Sequence, residues 1–212
     1  MIVGSLILAA VGGLLGWIWR PLALLALPLI AFLFAFFRDP ERAIPGERGA
    51  VVSPADGTVS DITEIEHHPW LGGPAVRIGI FLSVFNVHVN RSPCAGKVME
   101  TRYKKGKFIN ALHHQEASEE NESNLIVLAD ADGKEPVAAV KQIVGLIARR
   151  IVCSVTNGQT VQRGERIGMI KFGSRTELYL PRRLEPTVKV TVGQKVRGAA
   201  DIVAVLGRPI EG

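Results

Sequence analysis

From Ala50 to the C-terminus, short runs of β-branched residues alternate with glycine and proline, and this spacing restricts the folds open to the chain. The runs are GTVSDITEI, AVRIGIFLS, NVHV, GKVMETRY, NLIVLAD, TVKVTV and DIVAVL. Turn residues interrupt the sequence about every ten residues, which is typical of sandwiches and barrels. We therefore predict a mainly β fold, with a compact β-barrel or sandwich-like domain over residues 51–212.

Two stretches of this domain lack the strand pattern. Residues 141–150 mix Lys, Gln and Arg with apolar side chains, and we predict a short helix there. Residues 113–124 are polar and acidic, without a regular apolar period, and we predict a loop.

Two phrases recur within the domain. Segments 53–59 and 92–98 share the pattern S-P-x-x-G-x-V, whereas segments 158–164 and 193–198 share G-Q-x-V. Such phrases occur in small barrels with pseudo-symmetry, where glycine permits a sharp entry into a strand. We predict internal pseudo-repeats.

One residue distinguishes the two S-P-x-x-G-x-V phrases. Asp56 occurs in the first copy, and Ala95 stands at its place in the second. The scaffold evidently does not need a carboxylate at this position, so Asp56 is a functional candidate. The alternative is a local Asp-Gly turn, in which the carboxylate serves only the backbone.

The first 37 residues differ in composition from the rest of the chain, because Arg20 is their only charged side chain before Arg38. The apolar stretches on its two sides are close to the lower limit of about 17 residues for a helix that spans a bilayer. Pro21 disfavours helical geometry in Arg20, so the pair favours a break. We predict a hydrophobic helical hairpin over residues 1–37 that anchors the chain in a membrane, with Trp17 beside the turn at the interface. A single span or an in-plane segment is the alternative. The lack of a basic start argues against a signal peptide.

Residues 38–50, RDPERAIPGERGA, form an arginine-rich linker after the apolar segment. By the positive-inside rule, the linker places the C-terminal domain on the cytoplasmic face of the cell (inner) membrane. The chain carries 25 basic and 20 acidic side chains, a net charge of +5. This excess favours an anionic partner, such as a phosphate or a lipid headgroup. No basic run is interleaved with aromatic residues, so the sequence does not support binding of nucleic acid.

Two cysteines, Cys94 and Cys153, are too few for a disulfide framework, and no Cys/His cluster suggests a metal. We predict that both are buried free thiols. A different feature stands at Gly173-Ser174, in IGMIKFGSRTELYLP, where the pair separates two strand-like segments. A tight turn is the ordinary interpretation of such a pair.

The chain resembles the pyruvoyl-dependent phosphatidylserine decarboxylase proenzyme family, of the short bacterial type. The likeness covers nearly the whole chain, and its blocks occur in the family's order. These blocks are FFRDPER (36–42), SPADG (53–57), FNVHVNRSP (85–93), SEENESN (118–124), QIVGLIARRIVC (142–153) and RIGMIKFGSR (166–175).

The resemblance implies that a precursor cuts itself between Gly173 and Ser174. The Ser174 hydroxyl would attack the Gly173 carbonyl, and later steps would leave a pyruvoyl group at position 174. The products would be a β chain of residues 1–173 and an α chain of residues 174–212. The mature catalytic domain, residues 51–212, would thus contain parts of both chains.

The resemblance also assigns a base. Asp56 in SPADG and His88 in FNVHVNRSP match the Asp–His pair that serves the serine in this family. For His88, a structural histidine in a strand-like N-V-H-V alternation is the alternative. Longer members of the family carry a second histidine, in a Y-H-R-V-H arrangement, and Arg91 occupies its place here. The resemblance therefore leaves both self-cleavage and substrate protonation to His88.

The implied activity is conversion of phosphatidylserine to phosphatidylethanolamine and CO2. The pyruvoyl carbonyl would form a Schiff base with the substrate amine and act as an electron sink, with His88 as general acid. The cofactor is this covalent pyruvoyl group, without a metal. Arg91 and Arg175 lie near the motifs and are candidates to bind the substrate's phosphate or carboxylate. The implied partners are membrane lipid and the two chains of one precursor, and a homodimer of the processed unit is open.

Two other functions remain as alternatives. The G-Q-x-V phrases also fit a biotinyl- or lipoyl-type barrel on a membrane anchor, but no lysine stands in a recognisable acceptor setting. A membrane-anchored serine hydrolase would need a nucleophile elbow such as G-x-S-x-G, and the F-G-S-R around Ser174 is not one.

Overall fold

The computed structural model divides the chain into two units, Met1–Asp39 and Pro40–Gly212. The residues that it describes are 2–18, 20–109, 114–146, 150–171 and 174–208.

Two helices form the first unit, α1 at Ile2–Ile18 and α2 at Arg20–Phe36. Both present large apolar side chains at their surfaces, among them Leu6 and Phe34. Among the described residues, no helix combines the length and the apolar character needed to cross a bilayer. The membrane hairpin predicted from the sequence therefore gains no support from the structure.

The second unit is built mainly from strands. A short helix, α3, covers His114–Glu120, and one 3-10 turn covers Arg182–Leu184. The strands in chain order are β1 Ala50–Val52, β2 Gly57–His68, β3 Gly73–Leu82, β4 Val89–Arg91, β5 Gly96–Lys104, β6 Ser123–Ala129, β7 Pro136–Val144, β8 Arg150–Cys153, β9 Thr160–Val161, β10 Arg166–Lys171, β11 Ser174–Pro181, β12 Pro186–Val188, β13 Lys195–Val196 and β14 Ile202–Leu206.

These strands form three antiparallel sheets. The largest has eight strands, in the order β13-β2-β3-β11-β7-β6-β5-β9, and it curls into a half-barrel. The two smaller sheets are β1-β14-β12 and β4-β10-β8. The prediction of a mainly β domain is therefore confirmed, in the form of a curled half-barrel sheet with few helices.

Strand β11 lies between β3 and β7, inside the largest sheet. Ser174 pairs with Leu82 of β3 and with Val144 of β7. All eight residues of β11 are buried. A strand that is covered on both faces of its sheet is buried along nearly its whole length. Its successive side chains still point to opposite faces. Ser174 and Arg175 therefore belong to different faces of the same sheet.

The two faces of this sheet bury different kinds of side chain. The face that includes Ser174 and Leu178 joins the main apolar core, with Ile78, Ile80, Leu82, Ile126 and Val140 among its members. The opposite face holds a smaller apolar cluster of Leu71, Ala75, Val127, Ala139 and Tyr179, together with charged side chains.

Three predictions about the second unit are wrong. The described parts of 141–150 contain strand and no helix, because β7 runs through Val144 and β8 starts at Arg150. Residues 147–149 lie outside the described residues. Backbone pairing of β7 with β6 and β11 overrides the mixed local sequence. The loop predicted at 113–124 contains α3, which buries Ala117 and Ser118, and the start of β6. Cys153 is exposed, because it ends the edge strand β8, whereas Cys94 is buried.

The recurring phrases make similar local contacts. The hydroxyls of Ser53 and Ser92 each donate to the carbonyl two residues ahead, both at 2.7 Å. The amides of Val59 and Val98 each donate to a glutamine carbonyl in a G-Q-x-V phrase, at 2.9 and 2.8 Å. These contacts concern the turns and strand entries, and the larger pseudo-repeat stays a prediction.

Candidate functional site

Ser174 begins β11 and is completely buried. Its Oγ is buried and has no hydrogen-bond partner within the described part of the chain. Buried polar groups are nearly always hydrogen-bonded, so this hydroxyl needs an explanation. A hydroxyl with no competing hydrogen bond is available to react as a nucleophile once a base removes its proton. Gly173, the other residue of the predicted cleavage site, lies outside the described residues.

His88 immediately precedes β4 and is also completely buried. Its Nδ1 lies 2.9 Å from the carbonyl oxygen of Asn86. A carbonyl only accepts hydrogen bonds, so this contact requires Nδ1 to carry the proton in the neutral ring. In that tautomer, Nε2 bears the lone pair and can take up a proton. The local contact therefore suits His88 to act as a base.

The fold directs His88 to the end of the sheet at which Ser174 begins. Asn86 accepts hydrogen bonds from the amide and the hydroxyl of Ser83, at 2.9 and 2.8 Å. Ser83 directly follows the β3 residue that pairs with Ser174. The amide of Ile170, four residues before Ser174, donates to the His88 carbonyl at 3.3 Å. Two separate segments thus bring His88 to this end of β11.

A row of buried amides and a hydroxyl supports this arrangement, and sequence reasoning missed it. The side-chain amide of Asn124 donates to the side-chain oxygen of Gln142 at 3.0 Å, and the side-chain amide of Gln142 donates to that of Asn90 at 2.9 Å. Asn90 then donates to the Thr176 hydroxyl at 3.0 Å. This row ties β4 to β11 through β6 and β7, on the face that carries Ser174. The sequence signal was Asn90, two residues after His88 in the same strand-like alternation.

Asp56 has other partners than the predicted histidine. Its Oδ2 accepts from Arg42 at 2.8 Å, and its Oδ1 accepts from the Gly198 amide at 2.8 Å. No hydrogen bond joins Asp56 to His88 in the described residues. The turn that carries Asp56 nevertheless adjoins β4, because the Pro54 carbonyl accepts from the backbone of that strand at 2.9 Å. The structure therefore brings Ser174 and His88 to one sheet end and pairs Asp56 with Arg42.

Arg91 lies in β4, partly buried. Its Nη1 donates to the Gly164 carbonyl at 2.9 Å, and its Nη2 donates to the Pro40 carbonyl at 3.5 Å. Burial lowers the pKa of the Arg91 guanidinium, and neighbouring Arg42 lowers it further against the opposing effect of Asp56. These contacts link the linker, β4 and the turn before β10. They give the Arg91 guanidinium a structural role between these segments.

Arg175 lies on the other face of β11 from Ser174. It is completely buried and forms ion pairs with Asp61 at 2.5 Å and with Glu177 at 2.9 Å. Because two carboxylates already engage this guanidinium, its placement also favours a structural role over binding of the substrate phosphate. The sequence could not reveal the pair with Asp61, because these two residues lie 114 positions apart.

Comparisons with known proteins find similarity over most of the chain. The family model for phosphatidylserine decarboxylase matches residues 29–204. A protein named phosphatidylserine decarboxylase proenzyme from Syntrophus aciditrophicus is 51% identical over 173 residues, which are 81% of this chain and 79% of the relative. Proteins of the same name from Solidesulfovibrio magneticus and Rhodopirellula baltica are 49% and 45% identical, over 88% and 96% of this chain and 84% and 82% of theirs. The chain belongs to the phosphatidylserine decarboxylase family.

Proposed function

We propose that this chain is the precursor of an enzyme that converts phosphatidylserine to phosphatidylethanolamine and CO2. The observation that carries the proposal is the buried Ser174 hydroxyl, which has no hydrogen-bond partner among the described residues and stands at the start of β11. His88 approaches the same end of the sheet in the tautomer of a base. The names of the relatives, all proenzymes, support processing before activity.

The processing reaction breaks the bond between Gly173 and Ser174, with His88 as the base. His88 takes the proton from the Ser174 hydroxyl, whose oxygen attacks the carbonyl carbon of Gly173. The His88 imidazolium then gives this proton to the Ser174 nitrogen, which leaves the Gly173 carbonyl as an amine. Loss of the Ser174 α-proton then breaks the bond between its oxygen and Cβ. Gly173 leaves as a carboxylate that keeps this oxygen. One water molecule finally replaces the nitrogen, which departs as ammonia, and a pyruvoyl group remains.

The site suits this group. Position 174 is buried between β3 and β7, with Leu82 and Val144 as its strand partners, so bulk water is kept away. The pyruvoyl carbonyl supplies an electrophile that takes up the substrate amine and accepts electrons as CO2 leaves. In each turnover, His88 can take up one proton from solvent at Nε2 and give it to the carbon that loses CO2.

Asp56, Arg91 and Arg175 are the remaining predicted site residues. In this proposal, Asp56 helps to orient the segments around Ser174 from its turn beside β4. Its ion-pair partner is Arg42, at 2.8 Å. Arg91 remains a candidate for the substrate's anionic groups because it is only partly buried. Arg175 is a weaker candidate, since its guanidinium is fully enclosed and paired.

The test of the function is direct conversion of lipid. We expect the full chain, purified in detergent, to release CO2 from phosphatidylserine and to produce an equal amount of phosphatidylethanolamine. Phosphatidylcholine, which lacks a carboxylate and a primary amine, is the matched control and should not react. Absence of product from a preparation that mass spectrometry shows to be cut would contradict the proposed function.

The proposed location is the cytoplasmic face of the cell membrane, with residues 1–37 as the anchor. Both helices of the first unit expose large apolar side chains, with Leu6 63%, Trp17 89% and Phe34 66% exposed. Water-exposed apolar surface of this extent is typical of segments that contact lipid or protein. Membrane contact would cover it and place the enzyme beside its substrate, by whichever depth of insertion the helices adopt.

Deleting residues 1–37 is expected to move the protein from the membrane fraction to the soluble fraction, because it removes these exposed apolar side chains. Fractionation of cells in low salt and in high salt measures the change. A control deletion of residues 209–212, outside the apolar segment, should leave the protein on membranes. If the shortened protein stays quantitatively on membranes in high salt, residues 1–37 are not the anchor.

A further inference from the structure

A buried ionic cluster lies directly behind the predicted cleavage site. Arg175, the residue after Ser174, donates from Nη2 to Asp61 at 2.5 Å and from Nε to Glu177 at 2.9 Å. Its Nη1 donates to the Ser60 hydroxyl at 2.5 Å. Arg175 and Glu177 are both completely buried. All nitrogens of one guanidinium are thus used within a single cluster.

The sheet is shaped to let this side chain reach β2. Gly79 of β3 is the register partner of both Glu177 and Asp61, so Arg175 crosses β3 above a glycine. A Cβ at Gly79 would come within 2.1 Å of the Arg175 Nη2 and 2.4 Å of the Asp61 carboxylate. Only glycine leaves room for this crossing. A register irregularity between Val59 and Asp61 brings Ser60 into the same cluster.

The second carboxylate of the cluster is equally well held. Glu177 accepts from the Tyr179 hydroxyl at 2.6 Å and from the Ser118 hydroxyl of α3 at 3.0 Å. Although burial acts to raise it, the pKa of the Asp61 carboxyl is lowered, chiefly by Arg175. A buried pair with satisfied hydrogen bonds is strongly destabilised when one partner is removed. The cluster therefore resists separation of β11 from β2.

Such an attachment matters most once the chain is cut. Before cleavage, the start of β11 is tied covalently to the preceding segment, but afterwards residue 174 becomes a chain end, and chain ends fray unless they are tied down. Successive residues of a strand point to opposite faces. Fixing Arg175 on one face consequently fixes the direction of residue 174 on the other.

We propose that Arg175, held by Asp61 and Glu177, is a positioning residue that keeps the new N-terminal residue of the α chain in the active site after self-cleavage. This inference rests on the proposed function, since it requires the cut before residue 174. Arg175 thus acts on the reaction by holding the start of β11 in place, without contact to the substrate. Gly79 leaves room for the Arg175 side chain, and the Ser60 hydroxyl accepts one of its hydrogen bonds.

The test is hydrogen exchange of the peptide 174–181, compared between cut and uncut protein. We expect Asp61→Asn to speed amide exchange at the start of this peptide by about tenfold in the cut protein, where no covalent tie remains. In the Ser174→Ala background, which keeps the chain uncut, the same substitution should change exchange less than twofold. Ser60→Ala, which removes one neutral hydrogen bond, should give a smaller effect of the same kind.

Glu64→Gln is the matched control. Glu64 also joins β2 to the α chain, through Arg182, but the pair is exposed and lies beyond the far end of β11. Exposed ion pairs contribute little, so this variant should exchange like wild type in both backgrounds. In steady-state kinetics, we expect Asp61→Asn to lower kcat several-fold with little change in KM, because residue 174 is misplaced while lipid binding persists.

Each other outcome opposes the proposal. Equal acceleration of exchange in cut and uncut protein would show that the cluster only stabilises the fold. An Asp61→Asn protein that remains uncut would show that the cluster serves cleavage instead. Both results leave the proposed function intact, whereas a wild-type protein that is never cut would remove the proposed function itself.

Discussion

Replacing Ser174 with alanine is expected to leave the protein as one uncut chain without decarboxylase activity. Alanine has no hydroxyl to attack Gly173, and without the cut no pyruvoyl group arises at position 174. Intact mass under denaturing conditions measures the result. Wild type should show two chains, residues 1–173 and 174–212. The smaller chain should be lighter by one ammonia than a chain that begins with serine, and it should resist stepwise N-terminal sequencing.

Two further variants test the chemistry at Ser174. Ser174→Cys should still cut, more slowly, because a thiol can form the corresponding thioester. Ser154→Ala, at an exposed serine of the same domain, is the control and should be cut and active like wild type. Reduction with borohydride in the presence of phosphatidylserine should attach the lipid amine to the small chain. An active wild-type protein that keeps an intact serine at position 174 would rule out the pyruvoyl mechanism.

Replacing His88 with alanine is expected to slow self-cleavage by a factor of about 10²–10⁴, the usual contribution of a positioned base. His88 is buried, and its contact with the Asn86 carbonyl leaves Nε2 as the basic nitrogen. We expect Asp56→Ala to slow cleavage as well, because Asp56 orients the segments beside β4. The fraction of cut chain over time, and lipid conversion by the cut fraction, measure both effects.

Arg42 separates two explanations for Asp56. If Asp56 acts through its ion pair with Arg42, Arg42→Gln should reproduce the slow cleavage of Asp56→Ala. If Asp56 acts on His88, Arg42→Gln should be cut at close to the normal rate. His67→Ala, at an exposed histidine, is the control for His88. Normal cleavage of both His88→Ala and Asp56→Ala would contradict the Asp–His pair, and normal cleavage of His88→Ala without lipid conversion would restrict His88 to the second reaction.

The strands were predictable where side-chain alternation is strong. β2, β3, β5, β6 and β14 coincide with β-branched runs in the sequence, because both the local preference and the burial pattern favour strands there. β7 was not among the predicted strands, and its C-terminal end falls in the predicted helix, where Lys141 and Gln142 interrupt the apolar run. The long-range partners of these two residues account for their burial. Lys141 donates to the Ser118 carbonyl at 2.6 Å, and Gln142 joins the buried amide row.

The site was predictable only as far as its motifs reach. Ser174 and His88 stand in recognisable blocks, and the structure brings those blocks to one end of a sheet. The partner of Asp56 was not predictable, because Arg42 belongs to a linker that sequence reasoning assigned to the membrane exit. The ion pairs of Arg175 were not predictable for a related reason. Its cluster depends on a glycine in β3 and on an irregularity in β2, and neither has a local sequence signal.

The position of β11 between β3 and β7 also governs how the mature protein can be taken apart and restored. In the proposed mature form, cut before residue 174, an interior strand of the sheet would belong to a separate 39-residue polypeptide. Renaturation then becomes a bimolecular reaction whose yield depends on concentration, whereas the precursor refolds as a single molecule. Heat or denaturant applied after the cut would therefore separate two polypeptides that do not readily refold together. We therefore expect the lifetime of the cut enzyme to follow its unfolding rate rather than an equilibrium.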